Sequence, residues 1–299
     1  MRRAFLFCLL LWISLGAPLA QAQKKASFPA VSRNDAAPTV RDAVFHSASL
    51  NRDMRYRVLL PADYEKGGRF PVLYLLHGIY GDYLNWDTRT GLENYARHLR
   101  LIIVMPDADD SWYTNSATVP GDKFEDYIAK DLISEIDAKY PTIRARHARA
   151  IAGLSMGGYG AVKLGVKYPE LFAFAGSLSG ALDAAQNLDT LRPVFRAKLL
   201  EVFGGEGSST RAQNDVFRLL DTPHETPYPY FYLACGTSDF FLATNRAFVE
   251  QLSSRNIPYE YHETAGGHTW EYWDRSLEPM LKAVTLAVVD APAHPEHSR

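Results

Sequence analysis

Cysteine is almost absent from the sequence. The chain contains two, Cys8 and Cys235, and Cys8 lies in an apolar amino-terminal stretch that we expect to be removed from the mature protein. A single remaining thiol cannot form an internal disulfide, so the fold must depend on its buried core. Cys235 lies in the apolar run FYLACG, which predicts a buried core residue and not a nucleophile.

The sequence also lacks an excess of charge of either sign. It contains 32 Lys and Arg residues against 34 Asp and Glu residues, and no basic stripe or basic helix stands out. Nucleic acid is therefore not an expected partner. No His or carboxylate spacing resembles a set of metal ligands, and neither the Rossmann nor the Walker pattern occurs, so neither a metal site nor a nucleotide site is predicted.

Long hydrophobic runs are missing as well. The apolar segment 4–15 follows two arginines and is shorter than the roughly 20 residues that a membrane-spanning helix needs. With the small-residue pattern at 20–22, it predicts a signal peptide at residues 1–22, cleaved after Ala22, and hence a secreted or periplasmic protein with no membrane span in its mature form. We expect a flexible arm at 23–41, one domain at 42–288 and a disordered tail at 289–299.

Strand and helix patterns alternate through the predicted domain. A hairpin (43–49 and 54–60) precedes two continuously apolar strands, 71–76 and 101–105, which a helix over 84–99 connects. A long helix at 124–140 and further strands at 150–152, 172–178, 231–235 and 259–262 predict an α/β fold with a mainly parallel, doubly wound sheet and helices on both faces. The loosely patterned residues 182–229 are predicted to form an insertion near the site.

The stretch AIAGLSMGGYGAVKLG, residues 150–165, predicts a strand, a sharp turn and a helix. Its turn matches G-x-S-x-G, the pattern in which a serine nucleophile is held on a strained turn. Gly153 and Gly157 leave room for that turn, so Ser155 is the candidate nucleophile. The backbone N–H of Met156, at the positive end of the helix, is the candidate for half of an oxyanion hole.

A serine nucleophile needs a histidine that accepts its proton and an acid that orients the histidine. The histidines that follow the G-x-S-x-G turn in the sequence are His224, His262, His268, His294 and His297. The last two lie in the polar tail, His262 lies within an alternating strand, and His224 precedes most candidate acids. His268 follows two glycines in a loop that can return the imidazole to the sheet edge, so it is the predicted general base.

The acid is expected between the serine and the histidine. Asp239 follows the strand FYLACG and is the first candidate, because it would lie at the same edge of the sheet as the serine. Asp183, Asp215 and Asp221 are the alternatives; Asp183 follows its own strand closely and could also cap a helix.

The second oxyanion donor is expected from the loop after the third strand, residues 77–82. The N–H of Ile79 is the candidate. His77 lies in the same loop, where we predict a structural hydrogen bond and no role as a base.

Five segments, LLHGIYGD, PDADDSWYTN, AGLSMGGYGA, CGTSDFF and GGHTWEYW, together resemble the Putative esterase family of α/β-hydrolases over about residues 41–288. That family includes S-formylglutathione hydrolases, feruloyl and acetyl-xylan esterases, tributyrin-type esterases and mycolyltransferases. The resemblance implies an α/β-hydrolase fold, an acyl-enzyme and no cofactor. It implies the triad Ser155, Asp239 and His268 and oxyanion donors at Ile79 and Met156. Asp131 departs from the family, whose members usually place a glutamate there facing the site region, so we expect any contact it makes to be shorter.

Aromatic residues are concentrated in the loops expected around the serine: Tyr80, Trp86, Trp112, Tyr113, Trp270, Tyr272 and Trp273. They predict an apolar or aryl-binding cleft, with Tyr80, Trp112 and Trp270 as candidate substrate contacts. The alternative is that most of them pack the loops, because aromatic side chains bury large areas wherever they fall.

The sequence thus predicts a secreted serine hydrolase acting on short-chain or aryl carboxylic esters, either small molecules or esters linked to polysaccharide. The alternatives are an S-formylglutathione hydrolase-like thioesterase, an acyltransferase, and an inactive glycan-binding relative. Export disfavours the thioesterase, because glutathione adducts are mainly cytosolic, and the intact triad argues against the inactive relative. A homo-oligomer is compatible with the sequence.

Overall fold

The central sheet has eight strands within the residues that the computed structural model describes, which are 37–186, 188 and 193–289. Its strands are β1 (Thr39–Ser47), β2 (Arg52–Leu60), β3 (Val72–Leu76), β4 (Ile102–Pro106), β5 (Arg149–Leu154), β6 (Phe174–Leu178), β7 (Tyr230–Gly236) and β8 (Tyr259–Thr264). The order across the sheet is β1-β2-β4-β3-β5-β6-β7-β8. β2 runs antiparallel to both of its neighbours, and every later pair is parallel. The mainly parallel sheet predicted from the sequence is therefore present.

Helices connect the parallel strands. They are α1 (Asn85–Arg89), α2 (Leu92–Tyr95), α3 (Phe124–Asp126), a π-helical turn (Tyr127–Leu132), α4 (Ile133–Lys139), α5 (Met156–Lys167), α6 (Pro193–Phe203), α7 (Ser209–Gln213), α8 (Val216–Leu219), α9 (Leu242–Ser254) and α10 (Trp270–Val288). The helices α6 to α8 lie within residues 182–229, the predicted insertion. The predicted signal peptide, most of the predicted arm and the tail from residue 290 lie outside the described residues.

Two apolar layers cover the two faces of the sheet. On one face, Tyr74 and Ile151 belong to a buried cluster with residues of α5 and α9 such as Val162 and Phe248. On the other face, Leu75 belongs to a cluster with residues of α1, α2 and α10. Strands covered on both faces are continuously apolar, which explains why β3, β4 and β5 were readily predicted from sequence.

Two predicted boundaries are wrong. β1 begins at Thr39 and pairs with β2 from its first residue, so residues 39–41 belong to the sheet and not to the arm. The helix predicted over 84–99 is broken into α1 and α2, because Thr90 is extended between them. The N–H of Gly91 donates to Asp274 Oδ1 at 2.7 Å, so a carboxylate of α10 binds the chain at the break. A residue distant in sequence therefore contacts the chain where α1 ends.

Candidate active site

Ser155 lies on the turn between β5 and α5, in a backbone conformation that side chains rarely adopt. Its φ is 52° and its ψ is −116°, and residues other than glycine rarely have a positive φ. A Cβ on Gly153 would lie 2.5 Å from the backbone of Gly157, and one on Gly157 would lie 2.5 Å from the carbonyl oxygens of Leu76 and His77. Only glycine fits at both positions, so the turn can pack directly on the end of β3. Strain of this kind concentrates at functional sites.

Three side chains that are distant in sequence meet at this turn. His268 Nε2 lies 2.9 Å from Ser155 Oγ, and His268 Nδ1 lies 3.0 Å from Asp239 Oδ2. Ser155 follows β5, Asp239 follows β7 and His268 follows β8, so the carboxyl ends of three parallel strands bring them to one edge of the sheet. Ser155 and Asp239 are buried, whereas the imidazole is 17% exposed. The arrangement can move a proton from the hydroxyl to the imidazole.

The carboxylate of Asp239 is held in its ionised form. Burial raises the pKa of this carboxyl, but hydrogen bonds from His268 and from the Phe241 N–H outweigh the burial, so the pKa lies below its usual range. The N–H of Phe241 donates to Asp239 Oδ1 at 2.9 Å, which leaves Oδ2 for the histidine. An ionised acid beside Nδ1 fixes the tautomer in which Nε2 can accept a proton.

The loops that carry the acid and the histidine are joined to each other. The N–H of Ser238 donates to the carbonyl of Gly266 at 2.8 Å. Gly266 has a φ of +150°, and a Cβ on Gly236 would lie 2.4 Å from the Gly266 oxygen. The two loops can approach this closely only because both positions are glycine, and their approach sets the distance between Asp239 and His268.

The loop after β3 passes close to Ser155. A Cβ on Gly78 would lie 3.5 Å from Ser155 Cβ. In the part of the chain that the structure describes, no protein acceptor takes the N–H of Ile79 or of Met156. Both N–H groups therefore stay available for a ligand.

His77 orients the peptide group that carries the Ile79 N–H. The N–H of Ala108 donates to His77 Nε2 at 3.0 Å, so Nδ1 carries the proton and donates to the carbonyl of Gly78 at 2.8 Å. Burial lowers the pKa of His77, which agrees with a neutral ring. In a trans peptide the N–H points opposite to the C=O, so binding the Gly78 carbonyl turns the Ile79 N–H away from His77. The prediction of a structural hydrogen bond for His77 agrees with these contacts.

A buried network of hydrogen bonds and charged groups supports the loop after β3. The hydroxyl of Tyr113 donates to the carbonyl of His77 at 2.8 Å, and Lys163 of α5 donates to the carbonyl of Tyr113 at 2.5 Å. Lys163 is fully buried and donates further to Glu125 Oε2 at 2.8 Å. Burial lowers the pKa of Lys163 to about 8, although the carboxylate of Glu125 opposes this shift. These contacts connect α5 to the loop after β3.

The three predicted substrate contacts lie in different surroundings. Tyr80 is 69% exposed, has a φ of 59° and is anchored by an N–H···Oδ1 bond of 2.6 Å to Asp110. Trp112 is only 6% exposed and packs against the rings of Tyr159 and Phe203, so it belongs to the core and is not an open substrate contact. Trp270 is partly buried and begins α10, not a loop.

Other candidates considered from sequence are engaged elsewhere. Asp131 accepts hydrogen bonds from Ser47 and from the N–H of Ser49, so it joins β1 to the helical segment and does not support the site. Asp215 caps α8, and Asp221 pairs with Arg255. His262 contacts Glu260 and the ring of Tyr232. His224 contacts the ring of Tyr228.

Three aromatic rings surround the imidazole, and sequence reasoning missed two of them, Phe240 and Phe241. The ring centroid of His268 lies 4.5 Å from that of Phe240, 5.3 Å from that of Phe241 and 4.8 Å from that of Trp273. The sequence contained a signal for two of them, because Phe240 and Phe241 directly follow the predicted acid. These rings pack around the imidazole, whose side chain remains 17% exposed.

The model of the family described as "Putative esterase" matches residues 47–284. The chain belongs to this family. The acetyl esterase of Caldicellulosiruptor saccharolyticus is 27% identical over 249 residues, which cover 78% of this chain and 93% of that protein. Esterase Rv1288 of Mycobacterium tuberculosis strain H37Rv is 34% identical over 268 residues, which cover 80% of this chain. The chain spans 58% of the length of that relative.

A solved structure shares the fold. The fluorophosphonate-binding serine hydrolase FphF of Staphylococcus aureus, with substrate bound, is 28% identical with a TM-score of 0.75, covering 84% of this chain and 99% of that chain. This esterase is therefore an α/β-hydrolase and a carboxylic ester hydrolase, as the resemblance implied. Within the described ranges, no helix combines the length and apolarity that crossing a membrane requires.

Proposed function

We propose that this esterase is a secreted or periplasmic serine hydrolase that cleaves short-chain or aryl carboxylic esters through an acyl-enzyme. Ser155 is the nucleophile, His268 the general base and Asp239 the acid that orients it. The observation that carries the proposal is the continuous path of hydrogen-bond distances, 2.9 Å and 3.0 Å, from Ser155 through His268 to Asp239 at a strained turn. No cofactor takes part in the proposed reaction.

The proposed mechanism assigns one group to each step. Ser155 Oγ attacks the ester carbonyl carbon while its proton passes to His268 Nε2. The N–H groups of Ile79 and Met156 stabilise the oxyanion that forms. The imidazolium then gives its proton to the leaving alkoxide, and the alcohol departs from the acyl-enzyme. Water repeats the sequence, releases the acid and restores Ser155.

The substrate class rests on the surface around the serine. Tyr80 directly follows the proposed oxyanion donor Ile79 and is largely exposed, and Trp270 directly follows the loop that carries His268. We propose that these rings favour a small or aromatic acyl group over a long acyl chain. Tyr80 and Trp270 are the proposed substrate contacts, and Trp112 acts by packing.

A panel of esters tests the proposed function. We expect 4-nitrophenyl acetate and butyrate and methyl cinnamate to be hydrolysed, with kcat/KM for 4-nitrophenyl decanoate lower by roughly tenfold or more, since each contact in a pocket is worth about that factor. Free acid should form even when a sugar acceptor is added. Equal or higher kcat/KM for the decanoate would refute the acyl preference, and an acyl-sugar as the main product would indicate an acyltransferase.

Export is tested separately. The exported protein should begin at Gln23, because the signal peptide is expected to be cleaved after Ala22. Amino-terminal sequencing of protein recovered from outside the cytoplasm measures this. Protein that stays in the cytoplasm with its first 22 residues intact would remove export from the proposal.

A further inference from the structure

Phe240 places an apolar ring in solvent beside the proposed catalytic residues. Its side chain is 71% exposed, the highest value among the large apolar side chains of the described ranges. Single exposed apolar residues are common on protein surfaces, so exposure alone assigns no role to this ring. Its position relative to His268 does.

The ring of Phe240 forms the open wall next to the imidazole. Its centroid lies 4.5 Å from that of His268, at an interplanar angle of 42°. The other two neighbouring rings, of Phe241 and Trp273, are partly buried and buried, respectively. Phe240 is therefore the most exposed of the three rings beside the imidazole, which is itself 17% exposed.

The backbone around Phe240 is fixed by the proposed acid. The N–H of Asp239 donates to the carbonyl of Gly236 at 3.0 Å, and the N–H of Leu242 donates to the carbonyl of Asp239 at 3.1 Å. The carboxylate of Asp239 also accepts the N–H of Phe241 at 2.9 Å. The backbone position of Phe240 is thus set by the same turn that holds Asp239 beside His268.

The chemistry of the acyl transfer determines which half of the ester lies beside this ring. The leaving alkoxide takes its proton from His268 Nε2, so the alcohol half of the ester must lie against the imidazole. We propose that Phe240 forms the wall of the leaving-alcohol subsite and selects esters whose alcohol carries an apolar ring. The inference rests on the proposed roles of Ser155 and His268. It concerns the alcohol half of the ester, whereas the proposed contacts Tyr80 and Trp270 concern the acyl half.

Two acetate esters with alcohols of similar basicity test the selection. In Phe240→Ala, the ratio of kcat/KM for benzyl acetate to that for ethyl acetate should fall roughly tenfold, because one apolar contact to the ring is lost. Phe240→Tyr should keep most of the ratio. Leu286→Ala removes an equally exposed side chain from α10, at 70% exposure, and should leave both rates unchanged.

A third ester separates the two halves of the substrate. Methyl phenylacetate carries its ring on the acyl side, so its kcat/KM relative to ethyl acetate should not change in Phe240→Ala. An unchanged benzyl-to-ethyl ratio would overturn the proposal. So would a loss confined to methyl phenylacetate, which would place Phe240 in the acyl subsite instead.

A binding measurement gives a readout without turnover. Benzyl alcohol should bind to Ser155→Ala roughly tenfold more tightly than to the double variant Ser155→Ala/Phe240→Ala, as measured by ligand-observed NMR. Equal binding to the two variants would overturn the proposal even if esters are cleaved. Conversely, turnover that survives Ser155→Ala would refute the proposed nucleophile, while the alcohol measurement would still report on Phe240.

Discussion

Replacing Ser155 by alanine is expected to lower kcat for 4-nitrophenyl acetate by about 10⁵- to 10⁶-fold, the scale seen when a serine nucleophile is removed from a triad. His268 and Asp239 would keep their positions but would have no hydroxyl to deprotonate. A residual rate of about 10³- to 10⁴-fold over water should remain, because the N–H groups of Ile79 and Met156 are unchanged. Steady-state kinetics on purified protein, with circular dichroism as a check of folding, measures the effect.

The folded state should tolerate this substitution. Alanine keeps the Cβ of serine, so the positive φ of residue 155 costs the same before and after the change. Ser177→Ala on β6 is a matched control, because it removes a second buried serine hydroxyl, one for which the described part of the chain provides no hydrogen-bond partner. The control should retain wild-type kcat. A Ser155→Ala variant with more than about a tenth of wild-type activity would contradict the assignment of the nucleophile.

Replacing Asp239 by asparagine is expected to lower kcat by about 10⁴-fold with little change in folding. The N–H of Phe241 would hold the amide oxygen of the new residue in the place of Oδ1, which puts the amide NH₂ opposite His268 Nδ1. Nδ1 must then accept, so the ring proton moves to Nε2 and faces Ser155. The imidazole can no longer accept the serine proton.

Asp221→Asn is the matched control for this change. Asp221 was an alternative acid in the sequence, but its side chain is 68% exposed and pairs with Arg255. Its replacement should change kcat by less than about twofold, because surface ion pairs contribute little. Near-normal activity in Asp239→Asn would move the acid to another residue, with Asp183 tested next.

The pH dependence of stability gives Asp239 a further signature. Its pKa lies below the usual value in the folded state, so the ionised carboxylate stabilises the fold above the unfolded-state pKa. That contribution is lost as the pH falls towards the folded-state pKa. Asp239→Asn should therefore lose less stability on acidification than the wild type does.

Much of the fold could be predicted because its signals are local. Continuous apolar runs mark β3 and β4, and the glycines around Ser155 mark the turn that only they can form. The start of β1 was missed because this edge strand contains polar residues such as Arg41 and Asp42, which interrupt the apolar pattern of a strand. The long helix α10 was not recognised: the aromatic residues of its first turn were assigned to a loop, and it contains Pro279.

The site could be predicted less completely, because its remaining features depend on contacts across the chain. Ser155, Asp239 and His268 each follow a predicted strand, which places them at one edge of the sheet. No sequence pattern tells which aromatic residues are buried. Trp112 packs on a ring of the insertion, so its burial depends on a distant helix. Phe240 was overlooked because no periodic pattern in the sequence marks an exposed aromatic residue that follows an acidic one.

The most direct measurement is to locate a covalent bond to the nucleophile. The protein is labelled with a fluorophosphonate, digested and examined by mass spectrometry. We expect the phosphonyl group on the peptide that contains Ser155, and we expect His268→Ala to prevent most of the labelling. A label on any other residue, or labelling of undiminished rate in Ser155→Ala, would contradict the assignment of Ser155 as the nucleophile.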